Sequence, residues 1–406
     1  MNILYLTYDG LTGPIGRSQI LPFLCNLSQK GIHIQVLSLE DEYLYKKGKK
    51  RIEDIVNNLD IEWNVLTSSY KIPVFSLFRN QNRMKSFAKR LYKTTSFDVV
   101  HCRSFPAVNT GLYLKKHYKS KVLFDMRVFY ADDLANNNIW KLKNPIYHLM
   151  YCYFKQREKD IFPLSDYIVT KTEASKTILL QDYHVDVPVS VIPSCVDFNL
   201  FDRNSILQED KKELRQKLGI AEDDFVIAYI GSLGCCYLID EMMDFVGELL
   251  KVKPQTKFLV ITPDSEQLVV QSARKKGVDM QHIIVDFAIR NQMPLYISII
   301  DVSIFFIKPV FSKKASSPKK MGEVLSLGIP VITNMGVGDV DTIVKDSKFG
   351  LLVEDFSTKS YQHVIALMDD LLKTDPNVCI DAAKSCFSLE KGVDEYSNIY
   401  RLLTKT

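Results

Sequence analysis

The sequence predicts an α/β protein made of two doubly wound parallel sheets in tandem, each interleaved with helices. Three observations carry this. Short apolar runs recur along the 406 residues, separated by stretches whose apolar side chains have helical spacing. That alternation is the mark of βαβ units. The rhythm opens at residues 3–7, breaks at a linker after Ile192, and restarts at residues 225–230. The length suits two or three domains of about 100–200 residues each, and the 46% hydrophobic content is enough for buried cores.

The elements follow in order. Residues 3–7 form the first strand, and a loop containing Gly10, Gly13 and Gly16 follows. Residues 18–30 carry Ile20, Leu21, Phe23, Leu24 and Leu27 on one helical face, and Gly31 stops that helix. Strands follow at 34–39, 62–66, 98–102, 122–125, 167–170 and 190–192, completing a Rossmann-like domain over 1–195. The segment PSCVDFNLFDRNS bridges to a second such domain, 196–387. Its strands are predicted at 225–230, 258–262, 282–285, 302–306, 329–333 and 350–353. Residues 388–406 read as a last helix with Tyr396, Ile399, Tyr400 and Leu403 on its apolar face, packing back on the first domain.

Two stretches interrupt the alternation. Residues 70–93 place Met84, Phe87, Ala88 and Leu91 on one face and Arg83, Lys85, Lys89, Arg90 and Lys93 on the rest. Such a basic amphipathic helix suits an anionic lipid surface, and equally a sheet-covering helix with a solvated basic side. Residues 138–162 hold Trp140, Tyr147, Tyr151, Tyr153 and Phe154, a pattern more often core than a sugar platform. Charge is also uneven. Residues 1–195 have 27 Lys and Arg against 18 Asp and Glu, a net of +9, whereas the remainder has 25 against 30, a net of −5. A basic first half fits an anionic acceptor or a membrane surface, or simply solvated faces.

The eight cysteines form no C-x-x-C pair and no zinc spacing, so reduced cytoplasmic thiols and no metal are expected. The N-terminus enters a strand directly, and no apolar run approaches the 18 or so residues of a membrane span.

The chemistry concentrates in residues 306–339. An apolar strand ends in a loop carrying Lys308, Ser312, Lys313, Lys314, Ser316 and Ser317, and Lys319 and Lys320 follow Pro318. Ser317 is the expected N-cap, Pro318 sits in the first turn, and Gly328 with Pro330 ends the helix. Cations, hydroxyls and a helix N-terminus together suit phosphate. Glu323, about a turn and a half into the helix, is placed to accept hydrogen bonds from vicinal sugar hydroxyls. In doubly wound sheets ligands bind at the carboxyl ends of strands. That rule also nominates Gly13, Gly16, Arg103, Asp125, Arg127, Ser232 and Gly234. Amides, many cations and few acids suit a sugar donor bearing a diphosphate. Arg103, Asp125 and Arg127 are candidates for holding acceptor or donor sugar. Asp125 equally reads as a helix cap or buried pair, and His101, beside Val99 and Val100, as a core histidine. A nicotinamide enzyme is a weaker reading. Glu40 ends the second strand where a ribose-binding acid would sit, but Gly10, Gly13 and Gly16 give no G-x-G-x-x-G.

Taken together, DGLTGPIGRSQILPFL, HCRSFP, FDMRVFYADD, VIPSCVDFNLF, YIGSLGCCYLIDEM and SSPKKMGEVLSLGIPVITNMGVGDVD resemble, in order, the motifs of GT-B glycosyltransferases of the family 4 type. The resemblance spans nearly the whole chain. It implies two domains facing a cleft, and transfer from a nucleoside-diphosphate sugar with retention and without metal or cofactor. The implied acceptor is a glycan or polyprenyl-linked glycan of cell-surface polysaccharide synthesis, not nucleic acid. The implied location is cytoplasmic, with residues 70–93 offered to the inner face of the plasma membrane. Glu323 matches the second glutamate of the family's E-x7-E motif, which binds donor ribose, and Ala315 stands at the first. The G-R-L-x3-K phosphate motif reads Gly231-Ser232-Leu233 with Tyr237 at the lysine position, so Lys308, Lys313, Lys314 or Lys320 is expected to supply the missing cation. Arg103 stands in the family's H-x-H position. A nucleotide-sugar epimerase or hydrolase of the same fold, and an inactive scaffold that binds a partner, are the alternatives.

Overall fold

A computed structural model describes residues 1–68, 73–234 and 236–405, with the backbone alone at 73–76. The chain forms two compact units, one of Met1–Cys195 with Leu389–Thr406, the other Val196–Ser388.

The first unit is built on β1 (Asn2–Thr7), β2 (His33–Asp41), β3 (Ile61–Ser68), β4 (Val99–Arg103), β5 (Lys121–Asp125), β6 (Tyr167–Thr170) and β7 (Val189–Val191). They form one parallel sheet in the order β3-β2-β1-β4-β5-β6-β7. The second unit carries β8 (Phe225–Ile230), β9 (Thr256–Ile261), β10 (Ile283–Asp286), β11 (Val302–Phe305), β12 (Val331–Asn334) and β13 (Gly350–Val353). Their order is β10-β9-β8-β11-β12-β13, again parallel. Helices cover both sheets, so the central strands are shielded from water on both faces and are rich in apolar residues, while the edge strands β3, β7 and β10 are only partly buried. All thirteen strands lie within two residues of the predicted runs. Strand order reverses at β1/β4 in one unit and at β8/β11 in the other. These switch points open a crevice at the strands' carboxyl ends.

The terminal helix, Leu389–Lys405, buries Val393, Tyr396, Ile399, Tyr400 and Leu403 in the first unit's core. Their spacing is that of a single helical face. Tyr400 also shares a 2.6 Å hydrogen bond with His101 Nδ1, and the Tyr396 ring meets Phe23 edge-on at 5.4 Å. His101 is thus a core histidine, flanked by Tyr5 and Tyr396 rings.

The helix Pro73–Leu91 is a covering helix. Met84 and Ala88 are fully buried, Arg83 donates to the Thr67 carbonyl at 2.8 Å, and the Lys85 ammonium sits 3.7 Å from the Tyr113 ring centre. Its apolar face is therefore taken up by its own unit. Residues 70–72 of the predicted basic segment lie outside the described residues. In the aromatic stretch, Trp140 and Phe154 are core, and the helix Pro145–Ile161 carries a buried Glu158 that accepts from the Ala131 amide and Lys155. Among the described residues no helix is long and apolar enough to cross a membrane, and no cysteine is in a disulfide.

Both tryptophans, Trp63 and Trp140, lie in the first unit, so their fluorescence reports its unfolding alone. Tyr400→Ala removes a buried ring and leaves His101 Nδ1 unpartnered. It should lower that unit's unfolding free energy in urea by about 3–5 kcal/mol. Tyr400→Phe, which removes only the hydroxyl, should cost about 1–3 kcal/mol.

Candidate functional site

At the second unit's switch point, β8 ends in Gly231-Ser232-Leu233 and β11 runs into residues 306–318. The two loops are tied together. Leu238 donates to the Phe306 carbonyl at 3.0 Å, Lys308 to the Cys236 carbonyl at 2.9 Å, and Tyr237 pairs with Ile307 in a single antiparallel bridge. This pairing sets the Tyr237 ring opposite Tyr229, 5.8 Å between centres. Asn334, at the end of β12, clamps the same loop: its Oδ1 accepts from the Ile307 amide at 2.7 Å and its Nδ2 donates to the Ile307 carbonyl at 2.9 Å.

Lys320 fills the space those rings define. Its ammonium lies 3.7 Å from the Tyr237 ring centre and 4.1 Å from that of Tyr229, and donates to Tyr229 Oη at 3.0 Å. Gly231 makes room for it. A Cβ there would stand 3.0 Å from Lys320 Nζ, and the backbone φ of +126° is one that side chains resist. An ammonium has three donors, and among the described residues Tyr229 Oη is its one acceptor. Burial disfavours the charged form and pulls the lysine down to about 7. Among the described residues no carboxylate bonds to it directly, and the charge of Glu323 only partly opposes the effect of burial.

Glu323 lies three residues on, on the same helical face. Its Oε1 accepts from Arg290 Nη1 at 2.7 Å, with Lys319 Nζ 3.5 Å away, so Oε2 remains for hydroxyls. Arg290 rests against the Phe201 ring at 5.0 Å. The helix bearing Lys320 and Glu323 spans Lys319–Ser326. Its N-cap is Pro318, not Ser317 as expected. Pro318 has an extended ψ of 101°, and its carbonyl accepts from the Met321 amide at 3.0 Å, so the helix starts one residue later.

The remaining candidates in this unit occupy the surrounding loop. Ser312 and Lys313 are buried in the single 3-10 turn Phe311–Ala315, Lys308, Lys314 and Ser317 are half-buried, and Ala315 is fully enclosed. The Lys313 carbonyl accepts from the Gly338 amide at 2.9 Å, which fixes this turn to the glycine loop after β12. Ser232 and Gly234 act through their backbones: the Ser232 carbonyl accepts from the Tyr229 hydroxyl and the Gly234 carbonyl from the Tyr237 amide.

In the first unit the loop after β1 is closed by Glu40. Its carboxylate accepts from the Leu11 amide at 2.7 Å, the Thr12 amide at 3.1 Å and the hydroxyls of Thr12 and Ser38. An acid so engaged cannot hold a ribose, which removes the nicotinamide reading. Gly16 serves the same loop, since a Cβ there would stand 2.1 Å from the Gly10 carbonyl oxygen. The predicted helix accordingly begins as a wide π turn, Gly16–Ile20, before Leu21–Gln29. Gly13 donates to the Gly10 carbonyl at 3.2 Å.

Strand register places Arg103 beside Asp125. Arg103 reaches Asp125 Oδ2 at 3.3 Å, Asp9 Oδ2 at 3.2 Å and Gln19 Oε1 at 3.4 Å, while Arg127 reaches Asp125 Oδ1 at 3.2 Å. Burial alone would raise the Asp125 carboxyl, but Arg127, His101 and Arg103 outweigh it and hold it well below the usual carboxylate range. Asp125 has no exposed surface. Its carboxylate is taken up in fixing the two arginines. Arg290 and Tyr229 are parts of these clusters that the sequence reading did not single out. Arg290 follows the carboxyl end of β10, where the strand-end rule could have found it.

Two family models match the chain: Glycosyltransferase Family 4 over residues 22–200 and Glycosyl transferases group 1 over residues 210–385. Two curated relatives are alpha-monoglucosyldiacylglycerol synthases. The protein of Streptococcus pneumoniae is 24% identical, covering 79% of this chain and 71% of its own. That of Acholeplasma laidlawii is 24% identical, covering 66% of each. Among solved structures, sucrose-phosphate synthase of Thermosynechococcus elongatus superposes with a TM-score of 0.72 at 15% identity, over 99% of both chains. HepE of Anabaena in complex with UDP-glucose superposes at 0.69 with 16% identity, over 98% of this chain and 99% of its own. Two consecutive glycosyltransferase models in the right order, on two parallel-sheet units with this strand order, fix the assignment: the chain belongs to the family 4 glycosyltransferases of the GT-B fold.

Proposed function

We propose that this glycosyltransferase takes a nucleoside-diphosphate sugar as donor and passes the sugar, with retention and without a metal, to a glycan or lipid-linked glycan acceptor at a membrane surface. One observation carries the reading: the buried ammonium of Lys320, with a single hydrogen-bond acceptor, on the same helical face as Glu323. A diphosphate is the anion that satisfies such a cation, and a ribose supplies vicinal hydroxyls for Glu323 Oε2. The UDP-glucose bound by HepE of similar fold supports a uridine donor. The glycolipid synthases among the relatives favour a second acceptor reading, a diacylglycerol-based glycolipid in place of a polysaccharide intermediate.

The chemistry is mainly electrostatic. As the glycosidic bond lengthens, negative charge gathers on the leaving diphosphate, and Lys320, charged in that field, stabilises it. Lys308 and Lys314 add to this from half-buried positions, and Lys313 from a buried one. The acceptor hydroxyl attacks from the face that the diphosphate leaves, and the departing phosphate oxygen takes its proton. Arg103 and Arg127, fixed by Asp125, are suited to hold an anionic or hydroxyl-rich partner.

The donor half of this reading is tested by titrating UDP and UDP-glucose calorimetrically. Glu323→Ala should lose measurable donor binding with its fold intact, because Arg290 keeps 30% of its side chain in solvent; unchanged titration removes Glu323 from the site. Lys320→Met should weaken binding by roughly 1.5–3 kcal/mol, about ten- to hundredfold. The acceptor half is tested by following radiolabelled sugar into polyprenyl-linked glycan and diacylglycerol acceptors.

Lys320 also sets a pH dependence of stability. Its folded value near 7 lies below the 10.5 of the unfolded chain, so between these the unfolded state binds more protons. Stability should therefore rise with pH across this window in the wild type relative to Lys320→Met, as measured by thermal unfolding at pH 6.5 and 9.

A further inference from the structure

The helix Pro145–Ile161 turns one face inward and leaves another bare. Phe154, Glu158 and Ile161 are buried, whereas Ile146, Leu149 and Tyr153 are 68%, 72% and 50% exposed. Spaced three and four apart, those three form a continuous apolar stripe. Ile139 and Leu142, in the segment leading into the helix, are 52% and 39% exposed and extend it. Large exposed side chains are ordinary when scattered; five within fifteen residues are not.

Charge around the stripe is mainly positive, and Asp160, further along the same face, is paired with Arg157. Residues 134–157 contain no carboxylate, and Lys141 and Lys143 are exposed beside Leu142. The neighbouring helix Pro73–Leu91 continues the pattern, since residues 63–97 also contain no carboxylate and Arg79, Lys89 and Arg90 are exposed. Phe78 of that helix is 44% exposed and stands 6.5 Å from Phe154. Between the two helices lies a cavity of about 240 Å³ lined by Phe78, Phe105, Tyr153, Phe154 and Arg157.

We infer that the stripe Ile139–Leu142–Ile146–Leu149–Tyr153, framed by Lys141, Lys143 and the basic side of the neighbouring helix, is the surface on which this protein docks to an anionic lipid bilayer. The inference rests on the surface-attached half of the proposed function and changes where attachment occurs. The sequence offered residues 70–93, but Met84 and Ala88 of that helix face the core, leaving Phe78 as its one strongly exposed large apolar residue among the described ones, beside its cations. A bilayer needs both an apolar insert and flanking cations. The helix Pro145–Ile161 supplies the insert.

Flotation of the full chain with vesicles of phosphatidylcholine containing 30% phosphatidylglycerol, and with phosphatidylcholine alone, tests this. The wild type should float with the anionic vesicles and be released by high salt. Ile146→Ser with Leu149→Ser should reduce binding at least tenfold. Lys141→Glu with Lys143→Glu should reduce it by more than the roughly fivefold that each lost cation gives. All are surface positions, so thermal unfolding and UDP binding without vesicles should stay at wild-type values. Wild-type protein that does not float, or an Ile146→Ser/Leu149→Ser variant that floats like it, overturns the inference; dimerisation lost in that variant would give the stripe to a second copy instead. Flotation without UDP binding would overturn the donor reading and leave this one standing.

Discussion

A lysine ammonium removed from water must find compensation or lose its proton, and the second unit is arranged around one that has found only part of it. Two tyrosine rings and one hydroxyl surround Lys320. Ring faces attract a cation, but they do not replace a hydration shell. Much else in the unit serves this placement. Gly231 leaves room for the ammonium, the bridge between Tyr237 and Ile307 fixes one ring, and Asn334 clamps the loop that bridge belongs to. Family 4 enzymes resembling this chain carry cations at the positions of Ser232 and Tyr237. Here the tyrosine has become part of the cage, and the cation reaches the same loop from the following helix.

The first unit meets the opposite problem: its buried charges are already compensated from within. Glu40 saturates the amides of the loop after β1, and Asp125 is bracketed by Arg103 and Arg127. Breaking such a set by removing one member is costlier than the set is stabilising, because the survivor stays buried and unpaired. The arginines are thereby rigid. The terminal helix reinforces this from beneath, with Tyr400 bonded to His101 and Tyr396 packed on the same ring.

The fold was legible in the sequence because central parallel strands covered on both faces are rich in apolar residues, and even the partly buried edge strands β3, β7 and β10 keep enough of them to hold the rhythm. The terminal helix was legible for a related reason: Tyr396, Ile399, Tyr400 and Leu403 repeat at helical spacing. Loop details were not. A proline can occupy either a cap or a first turn, and only its ψ decides, which is why the helix after Ser317 starts one residue later. Glu323 and Lys320 could be named from position. Their pairing with Arg290 and Tyr229 could not, since those residues are 33 and 91 positions away, although Arg290 does follow the carboxyl end of a strand. The aromatic stretch was read as core, which holds for Trp140 and Phe154. The exposure of Ile146 and Leu149 is a tertiary fact, because the same helical pattern could have been covered.

The protonation of one side chain, Lys320, decides how the donor site works. If the cage around Lys320 is the diphosphate site, donor binding must restore the proton that burial displaces. At pH 8 a lysine titrating near 7 is largely neutral in the empty protein and fully charged against a diphosphate. Calorimetric titration of UDP at pH 8, in two buffers of different ionisation enthalpy, counts that proton directly. The account expects uptake approaching one proton per UDP in the wild type and none in Lys320→Met. Binding without proton uptake in the wild type would contradict it.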